Sequence, residues 1–289
     1  MTLAARHMPA YQCAMLPGER LHLQEGPIDL VIGAEGEAAA IRAALTKAAN
    51  RFDGLLSQLA AELPALRSPA DKTGPVLHGD VARRMLAAVR PHWPTFVTPM
   101  AAVAGAVADE ILAAMASTPG LAKAYVNNGG DIAVHLMPGE CMTIGAVSRL
   151  AAPDGFVKLT GGDGIGGIAT SGAGGRSLSL GVADAVSVLA RNAAMADAAA
   201  TLIANAVDVD HGAVTRAPAA ALDPDSDLGE KLVTVQVGDL PEKAVSTALC
   251  GGVAVARTML KRKLISGALL CCQDKFRTVG PMNAQLERG

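Results

Sequence analysis

Aromatic residues are nearly absent: 4 Phe, 2 Tyr and 1 Trp make up 2% of the 289 residues. Nucleic-acid binders that stack bases on such rings are thereby excluded. An excess of charge of one sign is also missing, with 25 Lys and Arg against 27 Asp and Glu and a net charge of −2. That balance leaves no surface for a polyanion. Cysteine is scarce, and the five residues Cys13, Cys141, Cys250, Cys271 and Cys272 form no Cys-x-x-Cys pair. Neither a zinc ribbon nor a redox motif is on offer. The odd, dispersed set suits a reducing compartment, and the vicinal Cys271–Cys272 read as small buried residues. No run of about 18 apolar residues escapes interruption; the nearest, Met100–Ser117, contains Asp109 and Glu110. Met1–Ala14 lacks the apolar stretch of a signal peptide and a Leu-x-x-Cys site. The expectation is a soluble, cytoplasmic protein with neither membrane nor nucleic-acid partner.

Present in quantity are aliphatic residues and glycine. The 51% hydrophobic content supports a substantial core, built from Ala, Val, Leu, Ile and Met. The 31 glycines concentrate in 127–131, 161–175 and 251–252, where tight turns or close approach to a ligand are expected. Strands are predicted at 21–23 and 28–32 around the turn Glu25–Gly26–Pro27, and a helix over 36–63 from apolar residues at Ile41, Leu45, Phe52, Leu55 and Leu59. Asp80 reads as the N-cap of a helix over 81–89, and 99–117 as a further helix. Asn127-Asn128-Gly129-Gly130 marks a hairpin between strands at 124–126 and 132–136. Further strands are expected at 142–150, 157–159, 232–237 and 264–272, and helices at 192–207 and 241–263. Residues 208–227 read as an exposed loop. The hairpins argue for an α+β or mixed α/β fold with largely antiparallel sheets packed against helices. A single domain over 1–276 with a disordered tail at 277–289 is expected.

Three segments could carry chemistry. Asp131 follows the glycine turn directly, where its carboxylate could accept from a ribose hydroxyl or face a metal; the glycines themselves need no more than a turn. The run from Gly161 to Gly172 satisfies G-x-G-x-x-G at Gly162, Gly164 and Gly167, but strand and loop follow where a dinucleotide fold needs a long helix. A phosphate nest remains, with Thr170 and Ser171 as hydroxyls and Arg176 as a bidentate partner. Asp197 and Thr201 stand four apart, on one face of a helix. Carboxylate plus hydroxyl is hard-oxygen ligation suited to Mg²⁺; the bland alternative is an Asp stabilised by the helix dipole and a Thr bonding back to its own helix. Asp184 could share the same cation or lie on an exposed loop. His22, His78, His135 and His211 show no ligand spacing and read as surface or core histidines. Ser171 and Ser187 lack an assignable base.

Taken in order, these segments resemble the FAD:protein FMN transferase (ApbE) superfamily, and more closely its cytoplasmic ApbE-like branch. The likeness rests on Arg51–Ser57, on Val103–Leu112, on the hairpin Tyr125–Val134 and on Ile168–Gly172 followed by Ala196–Thr201. The resemblance implies a T-fold-like core, Mg²⁺ ligands at Asp197 and Thr201, Thr170 and Ser171 near a pyrophosphate, and Asp131 in a flavin-nucleotide pocket with Asn128, Gly129, Gly130, Gly167 and Gly172. Two departures stand out. Ala104 replaces the family's lysine before Gly105-Ala106-Val107-Ala108-Asp109, and Gly175–Asp184 replaces a His-x-x-Asp-Pro-Arg-Thr-Gly segment. The functions left open are an Mg²⁺-dependent enzyme acting on a nucleotide-type cofactor (FMN transfer or FAD pyrophosphate cleavage, with Asp197 and Arg176 as catalytic residues), a T-fold enzyme of pterin or cofactor biosynthesis, and a non-catalytic flavin or nucleotide binder. The low-charge surface is compatible with a homodimer.

Overall fold

The computed structural model describes residues 11–149, 152–175, 177–281 and 284–286. The chain begins with three strands, β1 (Gln12–Leu16), β2 (Arg20–Glu25) and β3 (Ile28–Gly36), then helices α1 (Ala38–Phe52), α2 (Leu55–Ala61), α3 (Leu63–Leu66), α4 (Asp80–Val89) and α5 (Val103–Ala116). The hairpin β4 (Leu121–Asn128) and β5 (Asp131–Leu136) follows, then β6 (Cys141–Arg149), β7 (Ala152–Thr160), β8 (Gly167–Ser171) and β9 (Ala185–Ala190). Helix α6 (Ala193–Ala206) precedes β10 (Val214–Pro218), α7 (Ala219–Leu222), β11 (Leu232–Val237) and α8 (Glu242–Lys261), and the chain closes with β12 (Gly267–Cys272), β13 (Lys275–Val279) and β14 (Ala284–Leu286).

Among the described residues, nine strands form one sheet in the order β1-β2-β3-β4-β5-β8-β9-β12-β13, with every neighbouring pair antiparallel. Period-two alternation gives the sheet two apolar faces. Leu30, Ile32, Val126, Ala133, Ala169, Val188 and Leu270 point to the layer containing α1, α5, α6 and α8. Val134, Ile168, Leu189 and Leu269 point the other way, onto Ile144, Val157 and Leu159 of a second sheet ordered β14-β7-β6. The expectation of antiparallel sheets packed against helices is met.

Several local readings change. The helix expected over 36–63 divides at Gly54, which takes φ 70°, a conformation an α-helix excludes. Gly79, not Asp80, occupies the N-cap of α4; the Glu62 carboxylate accepts from the His78 and Gly79 N–H groups in place of a local cap. The stretch 99–117 opens as a 3-10 turn, Pro99–Ala102, before α5. By length and composition Pro99–Ala116 is long and apolar enough to cross a membrane; it packs here against α1, α4 and α6. The loop expected at 208–227 contains β10 and α7, and β1, absent from the sequence reading, extends the sheet edge. Residues 277–279, assigned to a disordered tail, instead pair with 268–270 as part of β13. Cys271 and Cys272 are both buried, as expected.

Candidate active site

The site is built where the first turn of α6 meets the start of α5 and the tip of the β4–β5 hairpin. Asn192 caps α6, its side chain accepting from the Met195 N–H at 2.9 Å. Two further N–H groups of that first turn, on Ala193 and Ala194, donate to the two carboxylate oxygens of Asp109, each at 2.9 Å. Asp109 comes from the middle of α5, so one helix supplies the anion that another helix's N-terminus requires. Nothing in local sequence marks this role, because the partners are 84 and 85 residues apart. The neighbouring Glu110 binds Arg51 at 2.8 Å and Arg84 at 2.7 Å, tying α1 and α4 to α5. Both acids that interrupt the apolar stretch are thus satisfied inside the protein.

Helix α5 can lie this close to α6 because of Gly105. A Cβ there would stand 2.3 Å from the Ala193 carbonyl oxygen. The Gly105 N–H, freed by the start of the helix, donates to Asp197 Oδ2 at 3.0 Å. Part of Asp197 reaches the surface, yet burial of its carboxyl group, followed by the charge of Asp131, holds its pKa well above the ordinary carboxylate value; the N–H groups of Gly105 and Ala104 oppose this. Asp131 accepts from the Thr170 N–H at 3.2 Å, and the Thr170 hydroxyl meets the Ser187 hydroxyl at 2.7 Å. Two carboxyl groups distant in sequence therefore act on each other where both cannot easily be charged. Thr201 lies one turn beyond Asp197 on the same helix and is partly exposed.

The other sequence candidates divide by position. Asn128 is buried and works as a strut: its amide donates to the Ala104 carbonyl at 3.1 Å and its oxygen accepts from the Asp29 N–H at 3.5 Å. Gly129 and Gly130 form the exposed turn, with φ 64° and 113°. Gly167 is a packing residue, since a Cβ there would stand 2.2 Å from the Ala193 nitrogen. Ser171 pairs with Val186 within the sheet, and Gly172 packs on the Asp184 carbonyl. Arg176 lies outside the described residues. Asp184 is engaged elsewhere: its Oδ2 accepts from the Gln273 N–H at 2.6 Å at the β12–β13 turn, and its charge helps burial raise the Cys272 thiol to about 12. The charges that act most on Asp197 are those of Asp131 and Asp109. The glycine nest is also altered. Asp163 turns its carboxylate onto the Thr160 and Ile165 N–H groups at 2.9 and 2.8 Å, taking two of the loop's donors, and Thr170 gives its N–H to Asp131. Among the described residues, no group of three or more His, Cys, Asp or Glu side chains is arranged to hold a metal ion.

The Asp109 contact makes a test. Burial, the largest influence, raises its pKa from 3.8 to about 6, against the bonds from Ala194 and Ala193. A carboxyl that is harder to ionise when folded stabilises fully below its unfolded pKa and loses that contribution as pH rises through its folded one. Between pH 3.8 and about 6 the loss should reach roughly 3 kcal/mol. Urea denaturation of the wild type and Asp109→Asn across this window should show the wild type's advantage shrinking by about that amount. Parallel pH profiles would refute the assignment.

Among solved structures, the chain is similar to the flavinyl transferase ApbE of Pseudomonas stutzeri in its apo form, at 11% identity over 94% of each chain with a TM-score of 0.39. It is also similar to the ApbE protein of Thermotoga maritima, at 13% identity over 69% of this chain and 88% of that one with a TM-score of 0.40. No curated protein matches it. The family described as "AbpE bacteria" matches residues 13–278, nearly the whole length, and the chain belongs to that family.

Proposed function

We propose that this protein is a magnesium-dependent enzyme of the cytoplasmic ApbE-like branch that acts on the pyrophosphate of a flavin nucleotide. The observation that carries the reading is the pairing of Asp197 with Asp131 in a region where burial and mutual charge disfavour two carboxylates. A small hard cation relieves that conflict and fits the donor set of two carboxyl groups and the Thr201 hydroxyl, leaving positions for water and phosphate oxygens. When bound, Mg²⁺ would supply charge neutralisation at the phosphoryl group. The chain's own contributions are distinct. Gly105 fixes the Asp197 carboxylate through its N–H. Thr170 orients Asp131, and the Thr170–Ser187 hydroxyl pair offers donors beside it. Arg176 is assigned to the charge that develops on the phosphoryl oxygens.

With FAD as donor, a nucleophilic oxygen attacks the phosphorus of the FMN half. The bridging P–O bond breaks, and its electron pair leaves with AMP. Water as nucleophile gives FMN; a hydroxyl on an acceptor gives a covalent flavin phosphoester. The absence of the family's lysine at Ala104 and of its His-x-x-Asp-Pro-Arg-Thr-Gly segment favours a second reading, in which the nucleotide is bound and not cleaved. Incubating the pure protein with FAD and Mg²⁺ and separating the products distinguishes them. FMN and AMP in equal amounts, above a control without Mg²⁺, are expected. Stoichiometric FAD that stays intact would establish a binder, and no retained flavin would reject both readings. The cytoplasmic setting rests on cysteines that are few and dispersed along the sequence, with no Cys-x-x-Cys pair.

A further inference from the structure

We infer a second binding site, for a phosphate group carried on a small molecule, in the cleft where the glycine loop after β7 meets the turn from β9 into α6. Two depressions of about 340 and 190 Å³ adjoin there and share Val134, His135, Gly166 and Arg191. The larger falls within the size range of small-molecule sites. The cleft is separate from the Asp197 region. His135 lies four residues along β5 from Asp131, roughly 13 Å at the rise of a strand, and Arg191 precedes α6 where Asp197 sits one turn inside it.

The lining is cationic and uncommitted. Arg191 is exposed, and among the described residues neither it nor His135 makes a side-chain hydrogen bond or ion pair. The acids nearby are already occupied. Asp163, on the loop itself, is held by the Thr160 and Ile165 N–H groups. Asp109, which lines the smaller depression, is held by Ala193 and Ala194. Arg84, which lines that same depression, is bound to Glu110 and so does not compete for a ligand. What remains is a planar guanidinium fork, an imidazole and an open loop. Gly162 and Gly164 hold φ at 99° and 79°, and a Cβ on either would meet no atom within 4 Å, so a ligand can reach the backbone there. Asp163 takes the Thr160 and Ile165 N–H groups, and carbonyls take those of Gly161, Asp163 and Gly166, so among the described residues the Gly162 and Gly164 N–H groups are the loop donors left without a partner. An Arg fork beside such N–H groups is the chemistry that recognises a phosphate dianion. A carboxylate has fewer oxygens to share between these donors.

Calorimetric titration of the full-length protein with inorganic phosphate tests the inference. Divalent cations are left out, and sodium acetate and sodium chloride at matched ionic strength serve as controls. Saturable phosphate binding is expected. Arg191→Gln should weaken it about tenfold or more, the loss of a charged hydrogen bond, and Arg191→Lys should fall between. His135→Asn should weaken it further when combined with Arg191→Gln. Asp197→Ala should leave phosphate affinity unchanged. The Arg191 side chain is exposed, so unchanged thermal melts should confirm that the variants fold. The site is refuted by no saturable binding, by acetate binding equally well, by an Arg191→Gln protein of unaltered affinity, or by loss of binding in Asp197→Ala.

Discussion

Asp197→Asn should abolish magnesium-dependent binding of flavin nucleotide and leave the ligand-free protein at least as stable as the wild type. Asparagine keeps an oxygen for the Gly105 N–H, which donates to Asp197 at 3.0 Å, so the local scaffold survives. It removes one of the two carboxyl groups whose burial and mutual repulsion raise the Asp197 pKa. The unliganded protein therefore loses an electrostatic conflict. The same change removes the anionic ligand that makes a cation welcome, and the apparent Mg²⁺ affinity should fall on the order of a hundredfold or more, as befits a direct ligand whose supporting contacts alone are worth 10–100-fold. Thermal shift with FAD, with and without Mg²⁺, reads both effects. In the wild type, ligand at about a hundred times its dissociation constant should add near 2.7 kcal/mol; in the variant that increment should disappear. A variant that is destabilised when unliganded yet still responds to Mg²⁺ would mean that Asp197 supports the fold and holds no ion.

Gly105→Ala should produce the largest loss of stability. The added Cβ would stand 2.3 Å from the Ala193 oxygen, 2.5 Å from the Ala193 carbonyl carbon and 2.7 Å from the Ala194 nitrogen. All three are backbone atoms, so no side-chain rotation relieves the contact. Helices α5 and α6 must move apart, and that strains the Asp109 bonds to Ala193 and Ala194 and the Gly105 bond to Asp197 together. Overpacking in a core costs about 1–3 kcal/mol. With the hydrogen bonds added, a loss of about 3 kcal/mol or more is expected in urea denaturation. Gly212→Ala is the control: its Cβ would meet nothing within 4 Å, and a change within about 0.5 kcal/mol is expected. Equal effects at the two positions would show that the α5–α6 approach is looser than these distances imply. Flavin binding by a folded Gly105→Ala protein should fall as well, since the N–H that orients Asp197 moves with the helix.

Much of this architecture was legible from local pattern. The hairpin at Asn127–Gly130 was readable because Asn-Gly and Gly-Gly fill positive-φ positions, and it holds as β4–β5. Helix α6 was readable from its strong helix formers, although Asn192, read as part of the helix, is its cap. The antiparallel character followed from closely spaced strands. Three features were not legible in local pattern. Glu62 serves as the cap of α4 from 16 and 17 residues away. The pairing of β1 with β2 depended on a partner and not on its own weak alternation. The glycine run from 161 to 167 read as a phosphate nest, but Asp163 closes upon it, and its last glycine is there to let β8 pass α6.

By itself the sequence determined which side chains carry chemistry and which elements bear them: Asp131 at a hairpin tip, Asp197 and Thr201 on one helical face, Thr170 on a strand. These depend on periods of two and 3.6 residues, which neighbouring residues set. Only the tertiary structure decided the company each keeps. It brought Asp131 to Asp197, committed Asp184 to the β12–β13 turn, and gave α6 its anion from Asp109. Such pairings join residues 66 to 89 positions apart, and they form where burial removes water and leaves a charge or an N–H group few other partners.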